Sequence, residues 1–159
     1  MSQQSQALAS RFEQASHEMI ATVERCSDAQ WKTQTSGEKW SVGVVAHHVA
    51  QAHEAIAGFV KMIATGQPLP PLTMDMLHQM NAEHAKQFAN CPKAETLALL
   101  RKNAAAATST VRGLSDEQLD RSQPVMGGPP MTAKQMVEQV LIGHLQEHYG
   151  SIKATVGAK

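Results

Sequence analysis

Apolar residues recur at intervals of three and four along five stretches of the chain, the period of helices that bury one face. Leu8, Phe12, Ala15, Met19, Thr22, Val23 and Cys26 mark a helix from about residue 5 to 26, with His17 on its outer face. A second stripe, Val45, Val49, Ala52, Ile56, Phe59, Val60 and Ile63, predicts a helix from Ser41 to about Thr65. Ser41 is its N-cap, and Trp40 is placed to staple against Val45. Gly66 stops this helix, and Pro68, Pro70 and Pro71 prevent its resumption. Met74, Leu77, Asn81, Ala85 and Phe88 give a weaker third stripe over about residues 73 to 89. Pro92 opens a fourth helix through Leu97, Leu100, Ala104, Ala107 and Val111, ending near Gly113. The run from Ala104 to Ala107 favours helix but offers little surface to pack. The last helix, from about Thr132 to Thr155, carries Ala133, Val137, Val140, Leu141 and Ile152 on one face.

The chain also repeats itself faintly. Ser27-Asp28-Ala29-Gln30 reads as a capping box for a short helical turn, with Trp31 after it to pack down. Ser115-Asp116-Glu117-Gln118, followed by Leu119, reads the same way, and Met131-Thr132 is the counterpart of Trp40-Ser41. Each half is a helix, a capped turn, an irregular loop and a second helix. No strand-like alternation competes, so the expected fold is all-α: a four-helix bundle with an extra crossover helix between the second and third main helices. At 159 residues, one domain spanning 1–159 is expected, with a core that needs no disulfide or metal merely to fold.

Charge narrows the partners. Lys plus Arg and Asp plus Glu each number 14, so no overall field favours nucleic acid or an acidic membrane surface. Cys26 and Cys91 form no CxxC pair and fit reduced thiols in a cytoplasm. The N-terminus is polar, unlike a signal peptide, and no apolar run approaches the ~20 residues of a membrane span. A cytoplasmic protein is therefore expected. Assembly is not legible; a homodimer is the form that symmetric soluble proteins most often take.

The histidines change the picture most. His144 and His148 stand four apart in the middle of the apolar stripe of the last helix, stacked about 6 Å apart along its axis. A lone histidine on such a face is commonly a core residue satisfied by a carbonyl or hydroxyl. Two are harder to satisfy that way, because a helix interior has no free carbonyls and each unpaired buried nitrogen costs about 1 to 3 kcal/mol. A shared cation relieves both. In the second helix His47 points away from the stripe and is expected in solvent, while His48 and His53 flank it at similar angles. Periodicity does not choose between those two. His48 is level with His148 only if the second and last helices run antiparallel.

The segments Trp40-Ser41-Val42-Gly43-Val44-Val45-Ala46-His47-His48-Val49 and Gly143-His144-Leu145-Gln146-Glu147-His148-Tyr149-Gly150-Ser151-Ile152 resemble those of the DinB/YfiT-like superfamily of metal-binding four-helix bundles. The likeness runs over nearly the whole chain. It implies up-down-down-up topology and a metal site made of His48, His144 and His148, with His53 as second-best ligand or a cavity residue. It also implies zinc or nickel as the metal. Characterised members are similar to thiol S-transferases using bacillithiol or mycothiol, to a mycothiol-dependent isomerase, and to proteins classed as metal-dependent hydrolases.

Three neutral imidazoles on a divalent cation leave coordination positions open, as catalytic sites do. The expected function is thus a metal-dependent enzyme, of thiol S-transferase or hydrolase type, acting on a small molecule such as a low-molecular-weight thiol. The alternative is a non-catalytic metal-binding or stress-associated bundle. Glu147, on the flank of the same stripe, is a weak candidate for a catalytic base, since an exposed helical glutamate is the commoner case. His78, Asn81 and His84 read as the half-exposed edge of the crossover helix or the mouth of a cavity. Met74, Met76 and Met80 read as core filler or an adaptable apolar wall.

Overall fold

Four long helical runs and a shorter crossing helix make up the computed structural model, which describes residues 2–157. In chain order they are α1 (Gln3–Arg25), α2 (Asp28–Lys32), α3 (Val42–Thr65), α4 (Met74–Gln87), α5 (Lys93–Arg112), α6 (Asp116–Asp120) and α7 (Ala133–Gln135). A π-helical segment (Met136–Ile142) then joins α7 to α8 (Gly143–Val156) without a break, and these three form the last long run. The chemistry of the ends follows the sequence. Ser41 Oγ accepts from the Val44 amide, and Gly66 closes α3 in the left-handed conformation at φ 74°. Capping boxes start α2 at Ser27, α6 at Ser115 and α7 at Thr132.

Contacts between helix ends set the topology. Lys93 Nζ at the start of α5 donates to the Glu24 carbonyl at the end of α1, while Ser5 Oγ at the start of α1 donates to the Arg112 carbonyl at the end of α5. These two helices are therefore antiparallel. Trp31, between α1 and α3, donates from Nε1 to the Cys91 carbonyl at 3.0 Å, bringing the starts of α3 and α5 to one end. Its ring lies so close to Gly43 that a Cβ there would stand 2.5 Å from it, which is why α3 begins with a glycine in its first turn. Arg121 Nη1 donates to the Ala64 carbonyl and the Ala133 amide donates to the Arg121 carbonyl, so the last run starts where α3 ends. The bundle is thus up-down-down-up, with α4 returning from the far end of α3.

The core fills the space between the long helices, with Phe12, Met19, Val45, Val49, Leu100, Leu119, Leu141 and Leu145 all buried. Ala104 and Ala107 are buried too, and Asn103 donates to the Ala50 carbonyl at 2.8 Å. The alanine run was expected to pack little; its small side chains instead let α5 approach α1 and α3 closely. A second departure is a short antiparallel ribbon, β1 (Ser122–Pro124) with β2 (Pro130–Thr132), turned by Met126 and Gly127 at positive φ. Strands of three residues are too short to show alternation.

The internal repeat is structural. Val42 donates to the Thr33 carbonyl as Ala133 does to that of Arg121, each from the first residue after a helix cap to the sixth residue after a capping-box serine. The isolated bridge Gln34↔Ser41 occupies the position of the pair Ser122↔Thr132.

Candidate metal centre

His48 comes from the second turn of α3, and His144 and His148 from successive turns of α8. The antiparallel packing makes them level. One ring nitrogen from each lies within 4.8 Å of the others, and His48 Nε2 is 3.0 Å from His144 Nε2. Ring centroids are 5.0 Å apart for His48 and His148 and 4.4 Å for His144 and His148. All three side chains are half-buried. Burial, and then the neighbouring imidazoles, push His48 and His144 down to about 3. Both are neutral at physiological pH, so their lone pairs are free for a cation.

Glu38 went unmarked by any pattern in the sequence. It sits in the loop before α3, where Thr35 and Lys39 are tied by a backbone hydrogen bond and Gln34 Nε2 donates to the Lys39 carbonyl at 2.7 Å. From there its Oε2 lies 3.0 Å from His148 Nδ1, and Ser151 Oγ donates to Oε1. Burial raises the carboxyl, but hydrogen bonds from His148 and Ser151 outweigh it and hold the group below its usual range. An ionised carboxylate only accepts, so His148 carries its proton on Nδ1 and leaves Nε2 free, as in the carboxylate–histidine pairs around metals. Gly37 allows this approach: a Cβ there would be 3.2 Å from Ser151 Oγ. Loop residues carry no periodicity, so only geometry finds this carboxylate. The donor set, three imidazole nitrogens with one ring oriented by a carboxylate, fits a borderline divalent cation.

The other histidines divide sharply. His47, expected in solvent, is buried because α4 covers that face; its Nδ1 is 2.8 Å from His84 Nε2, and its ring stacks on Phe88 at 3.9 Å. His84 is correspondingly buried rather than half-exposed, and burial, then His47, pushes it down to about 4. His53 is not in the cluster. It is 1% exposed, edge-on to Phe12, and neither of its nitrogens has a protein partner. His17, His78 and Glu147 are exposed. The Trp40 and His48 rings pack edge to face, with 5.4 Å between centroids.

A cavity of about 600 Å³ opens beside the cluster, with His48, His84 and His144 among its lining. Asn81, Phe59 and Val140 also face it, whereas Glu147 and His78 do not. Met74, Met76 and Met80 are exposed, not core, and of these Met80 lines the cavity.

An antiparallel helical bundle with an internal cluster of imidazoles at a cavity defines a class of protein, and comparison assigns the family. The chain belongs to the DinB superfamily, whose family model matches residues 11–152. Its fold is similar to that of YfiT from Bacillus subtilis, described as a probable metal-dependent hydrolase with an unusual four-helix bundle topology (TM-score 0.78, 20% identity, 99% of this chain and 89% of that one). A mycothiol-dependent maleylpyruvate isomerase aligns at TM-score 0.76 and 12% identity, over 96% of this chain but 63% of that chain. DfsB, a sibling lethal factor precursor, aligns at TM-score 0.73 and 15% identity, over 99% and 97%. At such identities the likeness is one of fold. No protein of curated function matches the sequence. Among the described residues no helix is long and apolar enough to cross a membrane.

Proposed function

We propose that this chain is a divalent-metal-dependent enzyme in which His48, His144 and His148 hold zinc or nickel, and that it carries out thiol S-transfer or hydrolysis on a small molecule. The observation that carries the reading is the convergence of three imidazoles, one nitrogen of each within 4.8 Å of the others, at the edge of a cavity large enough for a drug-sized ligand. A bound divalent cation would supply Lewis acidity and lower the pKa of a coordinated water or thiol. The chain's own residues orient and shield. Glu38 fixes the His148 tautomer, α4 and its His84 close one side, and the apolar lining limits water around the reacting group.

Elemental analysis of untagged protein tests the first half: close to one zinc or nickel per chain is expected, and His148→Ala should lose both the metal and turnover. Chelation tests the second. Protein that stays folded by circular dichroism but loses thiol-conjugation or ester-hydrolysis activity supports a catalytic ion; protein that unfolds assigns the ion a structural role. Full metal content in the His148→Ala variant would refute the ligand set.

A further inference from the structure

The cavity has a polarity gradient that repeats on each of the three helices around it. On α3 the lining passes from His48 and Gln51 to Ile56 and Phe59; on α4 from His84 and Asn81 to Leu77; on the last run from His144 to Val140 and Met136. Apart from the exposed Glu54, midway along α3, the polar members gather at the imidazole end, and the hydrocarbon lies beyond them. From His48 to Phe59 the helix advances about 16 Å at 1.5 Å per residue. Among the described residues that line it there is no lysine or arginine, and the one carboxylate is Glu54. An anionic group lodged in the body of this cavity would lose its hydration without gaining a cation, and would meet Glu54 besides. Met80 and Met126 form part of the wall and are 55% and 37% exposed, so flexible thioethers border the opening and can adapt to more than one shape.

From this gradient we infer that the ligand is a neutral amphiphile: a long-chain or aryl compound whose single polar, reactive group meets the imidazoles while its uncharged apolar body fills the cavity toward Phe59. Esters, amides, thioesters and lipophilic electrophiles belong to this class; dicarboxylates and polyhydroxylated thiols do not fit the body. The inference rests on the catalytic reading only for the statement that the polar group is the reacting one. If thiol transfer is the reaction, the cavity holds the acceptor, and the hydrophilic thiol approaches the imidazoles from outside it.

Calorimetry with primary alcohols from hexanol to decanol tests the binding directly, on the protein as purified and again after chelation, with decanedioate as the charged control. Affinity should rise by about fourfold per methylene, the gain from burying each one, while decanedioate should bind at least a hundredfold more weakly than decanol. Ala55→Trp, which places a ring in the cavity from an exposed position of α3, should weaken decanol binding at least tenfold with unchanged circular dichroism. Affinity independent of chain length, equal binding of decanedioate, or decanol binding indifferent to Ala55→Trp would each overturn the inference. So would the absence of alcohol binding, whether gel filtration shows the protein to be a monomer or a dimer. Because binding is read with and without metal, chain-length-dependent affinity that survives chelation keeps the ligand class even if elemental analysis finds no ion, and the converse result removes the ligand class alone.

Discussion

Glu38 and His148 are 110 positions apart in the chain, and their side chains meet at 3.0 Å. Glu38 arrives from a loop locked by its own hydrogen bonds, whereas His148 is fixed on a helix whose next residue, Tyr149, is bonded to Thr22 of α1 at 2.8 Å. The relationship joins the two halves of the repeat at the candidate centre. It also sets which nitrogen of His148 faces the other imidazoles.

Glu38→Gln should therefore weaken metal binding without unfolding the protein. A glutamine still accepts from Nδ1 but carries no charge to stabilise the metal-bound imidazole, and loss of such an outer partner typically costs about 10- to 100-fold in affinity. Competition with a chromophoric chelator measures it. An affinity equal to that of the unaltered protein would show that Glu38 supports only the loop.

Acid should unfold the metal-free protein through its buried imidazoles. His48 and His144 are pushed down to about 3, and His53 and His84 to about 4, in each case first by burial. An unfolded imidazole titrates near 6.5, so below about pH 6.5 the unfolded chain binds protons that the folded one refuses. Stability is complete above that value and falls as pH drops toward 4 and then 3. Each histidine contributes at most about 1.4 kcal/mol per pH unit, less where neighbouring imidazoles share one penalty, and the four together draw down much of an ordinary 5–15 kcal/mol. A circular-dichroism titration should place the midpoint between about pH 4 and 5.5; native ellipticity persisting at pH 3 would contradict the argument.

His53→Leu separates core from centre. His53 is buried against Phe12 with neither nitrogen bonded to a protein group, so an apolar residue removes an unmet polar demand. The expected result is a gain of about 1 to 3 kcal/mol in urea unfolding at pH 7, with metal content unchanged. Loss of the metal would instead make His53 a partner of the centre, since its charge, if it took up a proton, would act on His144.

What the sequence disclosed, and what it withheld, follows the physics of each element. Helix ends were legible because their signals are local: Ser27, Ser41, Ser115 and Thr132 each cap the helix they were expected to cap. The antiparallel relation of α3 and α8 was legible as a condition, since His48 and His148 are level in no other arrangement. Solvent exposure was not. His47 lies off the stripe of α3, and only the tertiary placement of α4 buries it. Glu38, held by loop geometry, carries no periodic signature at all, and the period that placed Ala104 on the inner face of α5 did not show that its small size is what lets the helices close up.

The π-helical segment explains the remaining difference, and supports a prediction of its own. On α3 the residues Val45, Val49, His53, Ile56 and Val60 face inward, at 4, 8, 12, 15 and 19 positions after the cap at Ser41. On the last run Val137, Leu141, Leu145, His148 and Ile152 follow Thr132 by 5, 9, 13, 16 and 20, the same series displaced by one. The first three and Ile152 are buried and His148 is half-buried. A single extra residue, absorbed by the wider i→i+5 turns of Met136–Ile142, accounts for the displacement. It explains why a uniform 3.6-residue period set His144 at the middle of the buried face, where Leu145 stands. Deleting the exposed Gln139 should let the segment relax to an ordinary α-helix while α8 keeps its register, so the variant should fold and retain the metal. Inserting an alanine after Gln139 has no second bulge to absorb it. It should turn α8 by about 100°, carry His144 and His148 away from His48, and abolish metal retention. Elemental analysis of the two variants, read beside their circular dichroism, decides the matter: equal metal loss in both would mean that the bulge itself, rather than the register it preserves, holds the imidazoles together.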